Sequence, residues 1–369
     1  MKTIRLGLSA TLSGNLSLQG IESFNGLKLW AEYQNSLGGI YVNELESNLP
    51  VELVFFDDQS SPEKAARIAN QLIKEKKIDL LLGPYSSSLT LAFAKAAQES
   101  GRILWNYGGS TDELLEKEFS NTVTFITPAS RYFDPYLSFL TPKRPEDLNI
   151  AIVYAEDSGF SRQVSGGAIR FCMENNIAHK IYTFKSGSDD FTHIVNQIKD
   201  SRIKDIIGVG RFHDDLRLAS YVKGFNVCLP GAGIEQFKIE LGKESDGFCS
   251  VSQWEPDLNF IPDFGIESSV FTELYNDCFG KDPDYVAAQS FNIGNVLAHF
   301  IEKLGTLDEN RLKNEIVSSG FKTFYGEFAT GLSTNSQAGH KTVTTQWQNG
   351  KKEIIYPPEH ATSEYKEPR

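Results

Sequence analysis

Cysteine is scarce in this sequence. Cys172, Cys228, Cys249 and Cys278 are scattered through 369 residues, with no Cys-x-x-Cys and no histidine at ligand spacing. That pattern indicates neither a disulfide-built fold nor a structural zinc site. Cys172 lies on the apolar face of a predicted helix, and Cys249 and Cys278 sit in apolar surroundings, so buried free thiols are expected. A Cys228–Cys249 bridge is the alternative for an exported chain. Positive charge is also in deficit: 36 Lys and Arg face 48 Asp and Glu, a net charge of −12. This argues against nucleic acid, whose recognition begins with a basic surface. No apolar run approaches the ~20 residues of a membrane-spanning helix. Met1-Lys2-Thr3 leads straight into a strand-like Ile4–Leu8, without the apolar run and cleavage site of a secretory leader.

The motifs of common chemistries are missing too. There is no phosphate loop, no Gly-x-Ser-x-Gly elbow and no His-Glu-x-x-His, and Gly208-Val209-Gly210 lacks the third glycine of a dinucleotide fingerprint. Asp57-Asp58 has no evident partners for a metal and is expected to be structural. His213-Asp214-Asp215 reads as the first turn of a helix, with acids complementing the helix dipole. No catalytic residue, metal or cofactor is expected, and the chain is not read as an enzyme.

What is present is the composition of an ordinary globular protein: 40% hydrophobic, 23% charged, 30 Gly and 14 Pro. The length calls for two domains. Apolar runs at Ile4–Ser9, Val51–Phe56, Leu80–Leu82 and Arg102–Trp105 alternate with segments of helical periodicity, and Gly38-Gly39 stops the first helix. Near-continuous apolar strands joined by short helical crossovers indicate a parallel sheet covered on both faces. Ligands of such sheets sit beyond the carboxyl ends of the strands, where Ser13, Ser86 and Ser110 fall. The richest of these ends is Asp79-Leu80-Leu81-Leu82-Gly83-Pro84-Tyr85-Ser86-Ser87-Ser88. Here a strand, a tight turn and a helix start follow one another, and the free N–H groups of a helix start can receive a carboxylate.

After Thr122–Ile126 the pattern restarts. Strands are expected at Asn149–Tyr154, Ile181–Phe184 and Asp205–Val209, with helices at Arg162–Asn175, Phe191–Lys199 and Leu216–Phe225. A strand from Gly247 to Ser252 leads to Gln253-Trp254-Glu255-Pro256. Two strong helices follow, one including Phe264, Phe271, Tyr275 and Cys278 and one from about Asp284 to Leu304, then a shorter one near Asp308–Val317. A hairpin and closing strand are expected around Phe328, Val343–Gln348 and Ile354-Ile355.

The order of these elements resembles the type I periplasmic binding proteins, in the leucine/isoleucine/valine-binding branch that serves ABC importers. The resemblance is carried by Leu12-Ser13-Gly14, Gly20, Gly26, Asn35…Gly38-Gly39-Ile40, Asp57-Asp58…Pro62, Leu82-Gly83-Pro84-Tyr85-Ser86-Ser87-Ser88 and Glu156-Asp157-Ser158…Phe160. Ser252-Gln253-Trp254-Glu255-Pro256, Pro283-Asp284-Tyr285 and Gln346-Trp347…Gly350-Lys351 extend it over nearly the whole chain. It implies an α/β fold of two doubly wound parallel-sheet lobes joined by a hinge of three crossings. Lobe 1 would comprise 1–125 plus 253–325, lobe 2 would comprise 126–252 plus 326–357, and 358–369 would be a polar tail.

By the same resemblance the chain binds a small polar ligand bearing a carboxylate, an amino acid or related compound, in the cleft between the lobes. It would deliver that ligand to the membrane permease of an ABC importer. The alternative is a cytosolic sensor of the same fold. The family's carboxylate-binding positions fall on Ser87, Gly108 and Ser110, with Ser86 adjacent and Gln19 where relatives often place an aromatic. Phe160 and Phe212 match rings that cover the ligand, and Trp254 matches a pocket wall. Relatives also hold the ligand ammonium with an acid after a lobe-2 strand, whereas Pro230-Gly231-Ala232-Gly233 has none. Either Glu235, Asp157, Asp214 or Asp215 substitutes, or the ligand lacks an ammonium. The family implies a periplasmic or lipid-anchored extracellular location, no nucleic-acid partner, and a monomer or weak dimer.

Overall fold

The computed structural model describes residues 2–144, 148–331 and 337–367. The chain divides into a unit of Met1–Pro128 with Leu258–His340 and a unit of Ala129–Asp257 with Lys341–Arg369. It therefore passes between the units near Pro128, Asp257 and His340. Residues 326–340 belong with the first unit rather than the second, so the third passage falls later than the resemblance implies.

The first unit opens with β1 (Ile4–Ala10) and α1 (Ser17–Ser36), then β2 (Ile40–Val42) and β3 (Ser47–Leu49), which form a small antiparallel hairpin. It continues through β4 (Val51–Asp57), α2 (Pro62–Glu75), β5 (Leu80–Leu82), α3 (Ser87–Ser100), β6 (Leu104–Asn106) and β7 (Thr122–Thr124). The start of α2 has Pro62 in its first turn and the Ser61 hydroxyl accepting from the Lys64 amide, the favoured chemistry of a helix beginning.

The second unit runs through α4 (Asp134–Leu140), β8 (Asn149–Ala155), α5 (Gly159–Glu174), β9 (Ala178–Phe184), α6 (Thr192–Asp200), β10 (Asp205–Val209) and α7 (Phe212–Ala219). β11 (Asn226–Cys228), α8 (Glu235–Leu241) and β12 (Cys249–Ser252) follow. The expected helix over Leu216–Phe225 begins earlier and stops at Ala219, which frees Asn226–Cys228 to form β11.

Back in the first unit are α9 (Ser268–Phe279), α10 (Tyr285–Leu304), α11 (Glu309–Ser318) and the hairpin β13 (Phe321–Thr323) with β14 (Gly326–Phe328). Phe264 precedes α9 rather than belonging to it, and its ring stacks on His299 at 3.8 Å. Nearly all of α10 is buried, as expected of a helix apolar on every face. β15 (Val343–Gln348) and β16 (Lys351–Tyr356) complete the second unit.

Two sheet orders decide where a ligand could sit. The first sheet is β4-β1-β5-β6-β7, all parallel. The second is β16-β15-β12-β11-β10-β8-β9, parallel except where β15 meets β12 and β16. In both, the first parallel strand lies between the second and the third. The winding direction therefore reverses beside β1 in one sheet and beside β8 in the other, and such reversals open a crevice at the carboxyl ends.

Three cysteines, Cys172, Cys228 and Cys249, are buried free thiols, whereas Cys278 is exposed on α9, contrary to expectation. Cys228 and Cys249 lie directly opposite each other on β11 and β12. The C-terminal segment is no loose tail. The Tyr365 hydroxyl donates to Asn226 Oδ1 at 3.1 Å, Gln348 Nε2 to the Glu364 carbonyl at 2.8 Å, and Arg144 pairs with Glu367 at 2.8 Å. Pro368 and Arg369 of that tail lie outside the described residues.

Candidate ligand-binding site

In the first unit, the reversal lies between β1 and β5, and the loops after those strands are Thr11–Leu16 and Gly83–Ser86. The first loop is tied down by the acids that end β4. Asp58 is fully buried and accepts from the Ser9 and Thr11 hydroxyls at 2.7 and 3.0 Å and from the Ser60 amide at 2.8 Å. Burial raises its pKa above the usual carboxylate range, against those hydrogen bonds. Asp57 accepts from the Leu12 and Gln59 amides and from the Ser13 hydroxyl at 2.7 Å. The pair is structural, and the Ser13 proton is committed to it. Gln19 sits half-buried in the first turn of α1.

The second loop is strained. Ser86 holds φ +82° and ψ 149°, a conformation that costs a non-glycine residue about 1–3 kcal/mol and persists only where the surroundings enforce it. Its amide donates to the Gly108 carbonyl at 3.3 Å and its carbonyl accepts from the Thr90 amide at 3.0 Å. Although Ser86 stands at the N-cap of α3, its side chain makes no cap. Its buried Oγ has no hydrogen-bond partner among the described residues. Ser87 begins α3, half-buried, and the first amides of that helix have no acceptor within it.

The loop after β6 packs against this turn. A Cβ on Gly108 would lie 2.4 Å from the Pro84 carbonyl oxygen, so only glycine permits the approach. Buried Asn106 shapes the loop, its Oδ1 accepting from the Gly108 and Gly109 amides at 3.1 and 2.9 Å while Nδ2 donates to the Gly109 carbonyl at 2.7 Å. Ser110 follows, 5% exposed. Ser86 and Gly108 thus meet at one corner, Ser87 and Ser110 stand beside them in the chain, Ser13 lies in the loop after β1, and Gln19 lies in the first turn of α1. Asn106 carries no ligand role in the sequence reading, although an Asn side chain that accepts from the amide two residues on is a recognised turn device.

In the second unit the reversal lies between β8 and β10. Phe160 lies in the first turn of α5, which follows β8, Phe212 opens α7, which follows β10, and each ring is partly buried against its own side of the core. Ser158 caps α5, its hydroxyl accepting from the Ser161 amide at 3.2 Å. The ring of Phe160 meets Tyr132 edge-on at 5.7 Å. Tyr132 is a junction: its hydroxyl accepts from Gln253 Nε2 at 2.9 Å and its carbonyl from the Thr342 hydroxyl at 2.8 Å. Trp254 is fully buried, with the Ser252 hydroxyl donating to its carbonyl at 2.8 Å, so its ring presents no open surface.

The acids of this unit clamp its loops. Asp214 accepts from the Gly187 and Arg211 amides at 2.7 and 3.0 Å. Asp215 accepts from the Gly210 and Gly231 amides at 2.7 and 2.8 Å. Between them they join the loops after β9, β10 and β11. Asp215 is so deeply buried that its pKa rises to about 7, even with two amides opposing the shift. Asp157 accepts from both the amide and hydroxyl of Ser186. Glu255 pairs with Lys352 at 3.0 Å, and burial lifts its pKa to about 7 against that partner. The sequence signal for the paired clamp is two adjacent acids at a helix start facing glycine-bearing loops, which the dipole reading covered only in part. Among the described residues no group of three or more His, Cys, Asp or Glu side chains is placed to hold a metal ion.

Each of the two α/β units gathers its loops at a point of reversed winding. The chain belongs to the periplasmic binding protein family, whose model matches residues 3–352, and its fold is the type I architecture of the Leu/Ile/Val-binding kind. A Leu/Ile/Val-binding protein homolog 7 from Brucella melitensis is 21% identical, over 99% of this chain and 94% of the relative. The branched-chain amino acid binding protein LivJ of Streptococcus pneumoniae, solved in complex with isoleucine, superposes with a TM-score of 0.80 at 18% identity, covering 96% of this chain and 100% of that one. A solute-binding protein of an ABC transporter from R. palustris, solved with benzoate, superposes at 0.77 and 18% identity, over 96% of each chain. Among the described residues no helix is long and apolar enough to cross a membrane.

Proposed function

We propose that this chain is the substrate-binding component of an ABC-type importer and captures a small carboxylate-bearing compound. The carboxylate is received by the first unit at Ser87, Ser110 and the amides beside Gly108, with Ser86 adjacent. Phe160 and Phe212 of the second unit cover the rest of the molecule. Family membership supports the transport role and an extracytoplasmic site of action, with a membrane permease as partner. The observation that carries the ligand reading is the strained turn at Ser86, placed at a reversal of winding, with a buried hydroxyl awaiting a partner at the start of α3. Backbone strain of this kind gathers at ligand clamps, and relatives solved with isoleucine and with benzoate share the fold.

The test is isothermal titration calorimetry of the wild-type chain and the Ser87→Ala, Ser110→Ala double variant with amino acids and organic acids. A charge-assisted hydrogen bond contributes about 1.5–3 kcal/mol, so the double variant is expected to lose about a hundredfold or more in affinity. Unchanged binding in that variant overturns the assigned site.

A further inference from the structure

We propose that the outer edge of β4 is a docking surface for a second copy of this chain, the two β4 strands pairing antiparallel. An unpaired strand edge is a template for another strand, and proteins blunt such edges with short length, lysine, proline or a covering segment. The other outer strands of the two sheets are blunted in these ways. β7 has three residues, all buried. β16 is covered by the C-terminal segment, the Ile354 amide donating to Thr362 Oγ1 at 3.0 Å and the Thr362 amide to the Ile354 carbonyl at 2.9 Å. β9 presents an exposed Lys180.

β4 has none of these devices. Val51-Glu52-Leu53-Val54-Phe55-Phe56-Asp57 contains no lysine or proline, its centre is four apolar residues in a row, and Phe55 is 41% exposed. Asn35 takes both the amide and the carbonyl of Val51, at 2.7 and 2.9 Å, while the Pro50 carbonyl accepts from the Ile4 amide of β1. Alternation along the strand then turns the amides and carbonyls of Leu53 and Phe55 away from β1. Among the described residues neither makes a hydrogen bond on that outer side. Beside the edge, Leu18 and Ile21 of α1 are exposed, and Phe24, one turn on, meets the Phe55 ring at 4.5 Å. Exposed apolar side chains gathered in this way mark an interaction surface.

The occupant is read from the charges that flank the edge. Glu52, Val54 and Phe56 share one face of β4, and Val54 and Phe56 pack there against the core beneath α2 and α3. Lys76, which ends α2, holds its Nζ 5.6 Å from the centre of the Phe56 ring. A two-fold axis at Val54 sets Leu53 opposite Phe55 of the second copy, and these outward-facing residues exchange their N–H and C=O groups. The same axis sets Glu52 opposite Phe56 of the second copy, within reach of that copy's Lys76. Glu52 gives Oε2 to Thr3 and Arg5, its Oε1 has no partner among the described residues, and Lys76 has no carboxylate partner among them. The missing partner of each is thus supplied by the other copy, twice across the axis, which is the self-complementarity that a two-fold interface requires. Pairing joins the two five-stranded sheets into one.

The experiment is sedimentation and light scattering of the full chain from micromolar to submillimolar concentration. The wild type is expected to pass from the mass of one chain to that of two. Phe55→Lys, which places a charge on the open edge at an exposed position, is expected to stay at the mass of one chain throughout. Phe55→Thr, which keeps a strand-forming residue there, is expected to raise the dissociation constant at least about tenfold. Glu52→Lys and Lys76→Glu each set like charges together twice, and each is expected to weaken self-association at least about tenfold. The double exchange is expected to restore it to within about threefold of the wild type. A wild-type mass of one chain at every concentration overturns the second copy as occupant. A dimer that survives both Phe55 substitutions undiminished lies on another face and overturns the edge. A double exchange no tighter than either single variant overturns the charge pairing that selected this register.

Discussion

The two clusters of strand-end loops are built on the same winding yet use their polar groups in opposite ways. In the first unit the loops are shaped by glycine, asparagine and a strained serine, and what they leave available is hydrogen-bond donors: the Ser86 hydroxyl and the opening amides of α3. In the second unit the donors are consumed internally. Asp214 and Asp215 capture the amides of Gly187, Arg211, Gly210 and Gly231, and what is left over is aromatic surface. The first unit also spends Asp57 and Asp58 on the loops around β1 and β4, so the contrast lies at the turn before α3, where no side-chain acceptor among the described residues takes up the opening amides.

The contrast can be broken most forcefully on the first side. Gly108→Ala would push a methyl to 2.4 Å from the Pro84 carbonyl. We expect a loss of about 3 kcal/mol or more in urea unfolding, as for other backbone-strain substitutions, and no measurable ligand binding. On the second side, Asp215→Ala would orphan two buried amides, each worth about 1–3 kcal/mol. A destabilisation of about 2–5 kcal/mol is expected, with Asp215→Asn milder because one amide can keep its acceptor.

The pH dependence is a third handle. Burial raises the folded pKa of Asp215 to about 7, from an ordinary aspartate value of 3.8. Between about pH 4 and pH 7 the folded chain therefore retains a proton that the unfolded chain has released, so stability falls as pH rises through that window. Glu255, raised from 4.5 to about 7, adds to the same trend. Thermal scans from pH 4.5 to 8 should show the wild type least stable at the alkaline end, and Asp215→Asn should flatten the slope. The smallest effect is a control: a methyl on Gly166, within α5, meets nothing within 4 Å. Gly166→Ala should stabilise by about 0.5–1 kcal/mol through helix propensity alone and leave binding unchanged.

Much of this was readable from residue order. Apolar runs located the parallel strands because a strand covered on both faces carries no polar alternation, and the serines after Leu82 marked the corner before any coordinates did. The failures have physical causes. β11 is only Asn226–Cys228, too short to show a period, and the preceding turn was absorbed into a longer helix. Residues after Pro357 are polar by composition. Their attachment depends on Tyr365 reaching Asn226 and on Arg144 bridging Asp205 and Glu367, contacts that span 61 to 223 positions and leave no local trace. Cys278 lies in an apolar-looking helix but on its outer face. The clamping role of Asp214 and Asp215 was hidden because their partners are backbone amides, which every sequence has.

Tyr132 carries a mechanical consequence. It lies just after the first passage between the units, and it fastens Gln253 of the second passage and Thr342 of the third. On the far side, Thr127 is joined to His340, and Gln337 reaches the Phe125 carbonyl. Each of these bonds lies within one unit, so each unit gathers and fastens its own ends of the three passages.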